Sequence, residues 1–248
     1  GLSAGTRDLL MQNEGHALRA VSAVVVTSRF TASNLERFGV SAKRVRVVEP
    51  GVDKAVFSEG PASDAPPELL VVGSVIPRKG HDVLLRALAC LREYSWHCVC
   101  AGSLVRDRPY AERLVRLIEK NQLDGRIEFV GECDSVKLDR FYKRASVFVL
   151  PSHYEGYGMV LAEALVRGLP IISTNGGAIP DTVPPDTGVL VPPGNEDALS
   201  GAIRTFIDGT NGATMRTRCA EAARRYASTM QTWESAVSQM EDAITELT

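Results

Sequence analysis

Two carboxylates, Glu155 and Glu163, share the segment Glu155-Gly-Tyr-Gly-Met-Val-Leu-Ala-Glu163. Glu155 falls in a loop beside Gly156 and Gly158. Glu163 falls on the second turn of the helix that follows, flanked by Ala162, Ala164 and Leu165. A carboxylate in apolar surroundings needs a partner: a pair of sugar hydroxyls, an arginine or backbone N–H groups all qualify. Gly156 and Gly158 let a ligand approach the bare N–H groups of that helix start, where the helix dipole favours an anion. A second segment, Gly73-Ser-Val-Ile-Pro-Arg-Lys-Gly80, sets Arg78 and Lys79 beside the free amides of another helix start, a natural place for a phosphate. An exposed polar loop has the same composition, and the G-x-x-x-x-G-K-[ST] order of a P-loop is absent.

The remaining reactive side chains form no comparable group. His153, two residues before Glu155, reads as a loop residue or supporting contact rather than a general base, and His16, His81 and His97 belong to no constellation. Five cysteines (Cys90, Cys98, Cys100, Cys133, Cys219) fit neither a disulfide framework nor a zinc site. They read as small buried hydrophobes in a reducing compartment, with Cys98 and Cys100 on one face of a strand. No Asp-x-Asp pair lies near the two loops.

Both loops leave short apolar runs and enter helices. Strands are expected at Leu69–Gly73, Trp96–Ala101, Arg126–Val130, Val147–Leu150, Pro170–Ser173 and Gly188–Val191. Helices are expected at His81–Glu93, Tyr110–Asn121, Ser135–Arg144 and Met159–Arg167, with a helical tail from Asn195–Phe206 through Ala213–Tyr226. Almost wholly apolar, short strands alternating with helices are the sequence form of an α/β doubly wound parallel sheet of Rossmann-like type, in which ligands bind beyond the carboxyl ends of the strands. Ahead of this region lie a helix over 7–21, a strand Ala23–Thr27, a helix from Ser28 to Arg37 closed by Gly39, and a strand Arg44–Val48. The division expected is therefore 1–59 as the end of a first domain, 60–68 as a Pro- and Ala-rich linker, 69–231 as the ligand-binding domain, and 232–248 as a final helix.

The segment EGYGMVLAEAL closely resembles the E-x7-E signature of retaining glycosyltransferases with the GT-B fold. More narrowly, it is similar to the large group 1, family 4 type that includes glycogen and sucrose synthases. Six further segments agree in order and spacing: VVVTSRFTASNL with VVEPGVD, VGSVIPRKGHD, RIEFVGEC, FYKRASVFVLPSHYEGYG, GLPIISTNGGAIPD and TGVLVPPGNEDAL. The resemblance is mainly to the C-terminal, donor-binding domain. It implies that Lys79, with Arg78 beside it, holds the donor diphosphate and that Glu163 binds the ribose hydroxyls. Glu155 would contact the transferred sugar and stabilise the charge that develops on it, which with Lys79 makes the catalytic pair. The amides of Tyr157, Gly158, Met159 and Val160, beside Gly156, would cradle phosphate and sugar. Gly131, Glu132 and Cys133 would lie against the base, and Asn175-Gly176-Gly177 would form a further loop at the edge of the site. Many relatives carry arginine directly after the glycine at position 73. Here Ser74 stands there, which removes one cation from the donor-binding set. The resemblance also implies a donor site without metal or cofactor, with which the lack of an Asp-x-Asp pair near the two loops agrees.

The function implied is transfer of a sugar from a UDP or GDP donor, with retention, to an acceptor that is a glycan, a lipid or a small molecule. The usual acceptor domain has no counterpart for its glycine-rich loop or its histidine, so this chain alone is expected to bind donor and to transfer poorly. Thr232–Leu247, with Trp233, resembles the helix that crosses back onto the first domain. A nucleotide-sugar epimerase and a partner-dependent or regulatory subunit are the alternatives. A nicotinamide-dependent dehydrogenase lacks the required G-x-G-x-x-G. Composition agrees with a globular protein: 248 residues, 44% hydrophobic, 23% charged. A net charge of -2 gives no field for nucleic acid, and the arginines at 216, 218, 224 and 225 read as a solvated helix face. No uninterrupted apolar run of about 18 residues spans a membrane. The expected location is the cytoplasm, free or at the inner membrane face.

Overall fold

The computed structural model describes residues 3–62 and 65–246. Residues 63 and 64 of the expected linker, residues 1 and 2, and residues 247 and 248 of the expected final helix lie outside the described residues. The chain forms two compact units. One comprises Gly1–Gly51 with Gln231–Thr248, the other Val52–Met230.

In the smaller unit, α1 (Ala4–Ala20) starts where the Ser3 side chain accepts from the Thr6 N–H. β1 (Val24–Val26) pairs in parallel with β2 (Val45–Val47), Val24 opposite Val45. Between them, Ser28 caps α2 (Arg29–Asn34) through the Thr31 N–H, and Gly39 in the left-handed conformation closes the turn after it. Val26, Leu35, Phe38 and Val40 are the buried core. The last helix of the chain, α10 (Trp233–Thr245), belongs to this unit. Gln231 Nε2 donates to the Glu49 carbonyl, and Arg46 pairs with Glu246 at 3.0 Å.

The larger unit is built on six parallel strands. In chain order they are β3 (Glu68–Val72), β4 (His97–Ala101), β5 (Ile127–Gly131), β6 (Val147–Leu150), β7 (Ile171–Thr174) and β8 (Gly188–Val191). Across the sheet the order is β5-β4-β3-β6-β7-β8. The connections are α3 (His81–Ala89), α4 (Arg108–Lys120), α5 (Ser135–Arg144), α6 (Met159–Val166) and the short α7 (Ile179–Thr182). Helices α8 (Glu196–Ile207) and α9 (Gly209–Ala227) follow the last strand. Both faces of the sheet are covered. Leu69, Val71, Cys98 and Cys100 point into one core with Leu84, Leu88 and Phe206. The alternate residues Leu70, Val72 and Val99 point into the other with Phe148 and Leu165. Burial on both faces is why a central strand such as β6 reads as an unbroken apolar run, while the edge strand β5 carries the exposed Glu128.

Several elements depart from the sequence reading. Residues 52–59 pack inside the larger unit rather than closing the first. Val52 and Ala55 contact Ala162 and Val166, and the Ser58 N–H donates to the Arg167 carbonyl at 2.8 Å. Glu68, assigned to the linker, is the first residue of β3 and is buried against Arg144 at 2.8 Å. Helix α3 ends at Ala89, and the chain turns so that the buried Trp96 Nε1 donates to the Leu91 carbonyl at 2.8 Å. Cys90 is exposed, at the frayed end of that helix, not buried like Cys98, Cys100 and Cys219. On α9, Arg218 and Arg225 are solvated, but Arg216 donates to the Phe206 carbonyl and the Arg224 guanidinium lies 5.3 Å from the Phe57 ring centroid. Among the described residues no helix is long and apolar enough to cross a membrane.

Candidate active site

The strand order reverses between β3 and β6, whose residues Leu69 and Leu70 pair with Val147 and Phe148. The loop after β3 carries Ser74, Arg78 and Lys79; the loop after β6 carries Glu155 to Gly158. Adjacent parallel strands on either side of the reversal therefore deliver both loops to one point, where a crevice opens in sheets of this kind.

The two loops are locked together. Gly80 has φ 69°, and a Cβ there would sit 2.1 Å from the Pro151 carbonyl oxygen. The His153 N–H donates to the Arg78 carbonyl at 2.8 Å, and Arg78 NH1 donates to the Tyr154 carbonyl at 2.6 Å. From the other side, the Ala178 N–H donates to the Glu155 carbonyl at 2.8 Å and Thr182 Oγ1 to the Tyr157 carbonyl at 2.6 Å. Gly177 pairs with Glu155 as an isolated bridge, and a Cβ there would lie 2.2 Å from the Glu155 carbonyl oxygen. Thus Asn175-Gly176-Gly177 supports the loop through backbone contacts.

At the centre lies Glu155, only 7% exposed. Its Oε1 accepts from Lys79 Nζ at 2.6 Å and from Ser152 Oγ at 2.7 Å, and its Oε2 lies 3.0 Å from Arg78 NH1. Burial works to raise its pKa. The hydrogen bonds from Lys79 and Ser152 and the charges of Lys79 and Arg78 outweigh burial and hold the carboxyl below its ordinary value. Glu155 is thus ionised at neutral pH, its charge balanced by two cations.

Glu163 stands differently. It is half-buried, and its Oε2 accepts from the Tyr142 hydroxyl at 3.0 Å. Arg167, one turn on, directs its guanidinium to the Glu163 carbonyl at 3.0 Å and to Asp139 at 3.0 Å. Among the described residues the Glu163 carboxylate has no ion pair. Helix α6, which carries it, starts at Gly158 (φ 91°, ψ 54°), with no side chain capping its first N–H groups. Those of Met159 and Val160 have no partner within the helix. A left-handed residue without a side chain there leaves the helix start bare.

Ser74 is half-buried, and its carbonyl accepts from the Ile76 N–H at 2.9 Å. The structure thus brings Arg78, Lys79 and Glu155 into contact and places Ser74, Gly156 to Val160 and Glu163 on the same two loop–helix units. Gly131, Glu132 and Cys133 sit apart, at the end of β5, two strands from β3. There the Gly131 carbonyl accepts from the Gly102 N–H at 2.9 Å and Glu132 is exposed. His153 contributes its backbone, and its side chain is exposed. Two residues escaped the sequence reading: Ser152, fully buried on Glu155, and Tyr142, 1% exposed on Glu163. Ser152 lies three residues from its partner in a loop already singled out. Tyr142 lies 21 residues away on another helix, and no local pattern marks it. Among the described residues no three His, Cys, Asp or Glu side chains are grouped to hold a metal ion.

The sequence profile described as glycosyl transferases group 1 matches residues 53–226, and that of glycosyltransferase family 4 matches residues 4–56. Glycogen synthase of Mycobacterium tuberculosis is 31% identical over 188 residues, covering 75% of this chain and 45% of that protein. D-inositol 3-phosphate glycosyltransferase of Thermomonospora curvata is 31% identical over 234 residues, covering 85% and 53%. The chain spans about half the length of the curated relatives it matches. The structure of sucrose-phosphate synthase from Thermosynechococcus elongatus superposes with a TM-score of 0.84 at 27% identity, covering all of this chain and 64% of that one. Anabaena HepE in complex with UDP and glucose superposes at 0.83 with 20% identity, over 94% and 67%, a likeness of fold. With a profile covering more than half its length and a parallel six-stranded sheet of the GT-B type, the chain belongs to the group 1 glycosyltransferases.

Proposed function

We propose that the unit Val52–Met230 binds a nucleoside-diphosphate sugar, and that the protein transfers the sugar to an acceptor with retention of anomeric configuration. The observation that carries this reading is the Arg78–Lys79–Glu155 cluster at the reversal of strand order, beside the uncapped start of α6 that bears Glu163. In transfer, the acceptor's hydroxyl oxygen bonds to the sugar's anomeric carbon as the bond from that carbon to the phosphate oxygen breaks; the electron pair leaves with the diphosphate, which takes up the hydroxyl proton. Lys79, Arg78 and the helix start at Gly158 stabilise the charge on the diphosphate from fixed positions. Glu155 faces the positive charge that develops on the sugar. Glu163 accepts from the ribose hydroxyls, and the end of β5 lies against the base. In this reading the two cations do what a divalent metal does elsewhere, and none is required. The unit made of Gly1–Gly51 and Gln231–Thr248 belongs to the acceptor-binding domain.

Competition binding tests the proposal. A fluorescent nucleoside diphosphate bound by the chain should be displaced by UDP-sugars or by GDP-sugars, one series much more effectively than the other. Displacement by inorganic diphosphate alone, with equal affinity, would show a generic anion site and defeat it.

A further inference from the structure

The carboxylate of Glu163 is half-buried and makes one side-chain hydrogen bond among the described residues. Its Oε2 accepts from Tyr142, and its Oε1 makes no hydrogen bond among the described residues. Arg167, the nearest cation on its helix, is turned to the Glu163 carbonyl and to Asp139 instead. A carboxylate offers about four acceptor positions, and Tyr142 occupies one of them.

What holds that carboxylate in place is built with care for the phenol. Tyr142 is 1% exposed. One face of its ring stacks on Phe148, centroids 6.0 Å apart and planes 17° apart, and the Arg167 guanidinium lies 4.3 Å from its centroid. The ring reaches from α5 to α6, two elements that flank the loop bearing Glu155 in sequence. Burial, and then the charge and hydrogen bond of Glu163, push the phenol pKa well up, so the hydroxyl always carries a proton to donate.

Resting on the reading that Glu163 receives the ribose hydroxyls, we infer that Tyr142 is a positioning residue for ribose recognition. It occupies one acceptor position on Glu163 Oε2, fixes the carboxylate's rotamer, and leaves Oε1 and the rest of Oε2 aimed at the vicinal diol. A site of this kind distinguishes a ribonucleotide from its 2′-deoxy analogue, because the analogue leaves a half-buried acceptor unpaired.

The test is the ratio of affinities for UDP and 2′-deoxy-UDP, and for the guanosine pair, in the wild-type chain, Tyr142→Phe, Glu163→Gln and Phe148→Leu. Melting temperatures are recorded in parallel. The wild type should favour the ribonucleotide by about ten-fold, and Glu163→Gln should bring the ratio near one. Tyr142→Phe keeps the ring between Phe148 and Arg167 and removes only the hydroxyl. It should cut the ratio to about two- or three-fold while leaving the deoxynucleotide affinity unchanged. Phe148→Leu should lower the melting temperature and keep the wild-type ratio. A wild-type ratio in Tyr142→Phe, with the ratio lost in Glu163→Gln, would overturn the role of Tyr142 and leave donor binding intact. An equal loss in Phe148→Leu would assign the effect to packing and also overturn it. If the wild type binds neither nucleotide, or Glu163→Gln keeps the ratio, the reading beneath it fails as well.

Discussion

Removing the charge of Glu155 separates two roles that share one group of atoms. Lys79 and Glu155 are paired at 2.6 Å, with side chains 12% and 9% exposed. Breaking a buried pair by deleting one partner costs about 3–5 kcal/mol when nothing else compensates. Here Ser152 at 2.7 Å and Arg78 at 3.0 Å remain, and the Arg78 side chain is 45% exposed. Lys79→Met should therefore destabilise the fold by about 2 kcal/mol, Glu155→Gln by about 1–2 kcal/mol, and the double variant by less than their sum, leaving about 1–2 kcal/mol of coupling. Nucleotide binding should respond in opposite directions. A unit negative charge about 6 Å from a bound phosphate, at an effective dielectric near 20, repels it by about 3 kcal/mol before screening. With solvent and salt halving that figure, Glu155→Gln should bind the nucleoside diphosphate about ten-fold more tightly. Lys79→Met should bind it at least ten-fold more weakly. Urea titration gives the stabilities and calorimetry the affinities. Additive stabilities with coupling below about 0.5 kcal/mol, together with unchanged affinity in Glu155→Gln, would refute the claim that the pair is shared between fold and ligand.

Other outcomes follow from the same geometry. His81 is 1% exposed with neither ring nitrogen bonded, and burial, with Lys79 nearby, lowers its pKa from 6.5 to about 4. The unfolded chain thus takes up a proton near pH 6.5 that the fold refuses. His81 leaves stability unaffected above that pH and removes up to about 3 kcal/mol as pH falls towards 4. His81→Phe should flatten the stability profile over that window, and an unchanged slope would contradict it. The Glu155 pKa is held below its ordinary value of 4.5, so its contribution is present above that value and is lost as pH falls through the folded pKa. Acid unfolding of Glu155→Gln should accordingly be less steep below pH 4.5 than that of the wild type. Ser74→Arg, which adds a third cation to the loop of Arg78 and Lys79, should tighten diphosphate binding several-fold, read by calorimetry. Affinity for the nucleotide sugar should be the same with magnesium as with a chelator; a ten-fold dependence would place a metal in the site.

Much of this was legible in the chain because the physics there is local. A strand buried on both faces must be apolar, so Val147–Leu150 could be bounded to the residue, and the apolar edge strand Gly188–Val191 could be as well. Ser28 and Gly39 mark a helix start and a turn end by chemistry that acts within three residues. The site loops could be found for the same reason: glycines, cations and carboxylates cluster where strands hand over to helices. What resisted reading depends on distant partners. Residues 52–59 carry no period of their own, and only contact with α6 draws them into the larger unit. Helix α7 is four residues long, shorter than any periodic signal. That Glu155 is neutralised by Lys79, 76 residues away, is a product of strand order, as is the Tyr142–Glu163 bond.

Calorimetric titration of the chain with UDP and with GDP, repeated on Lys79→Ala and Glu163→Ala, tests the donor site most directly. One nucleotide should bind one to one, and each substitution should weaken it by about 1.5–3 kcal/mol, the worth of a hydrogen bond to a charged group. Absence of binding by either nucleotide, or binding that both substitutions leave unchanged, would contradict the assignment of Lys79 and Glu163 to a nucleoside-diphosphate site.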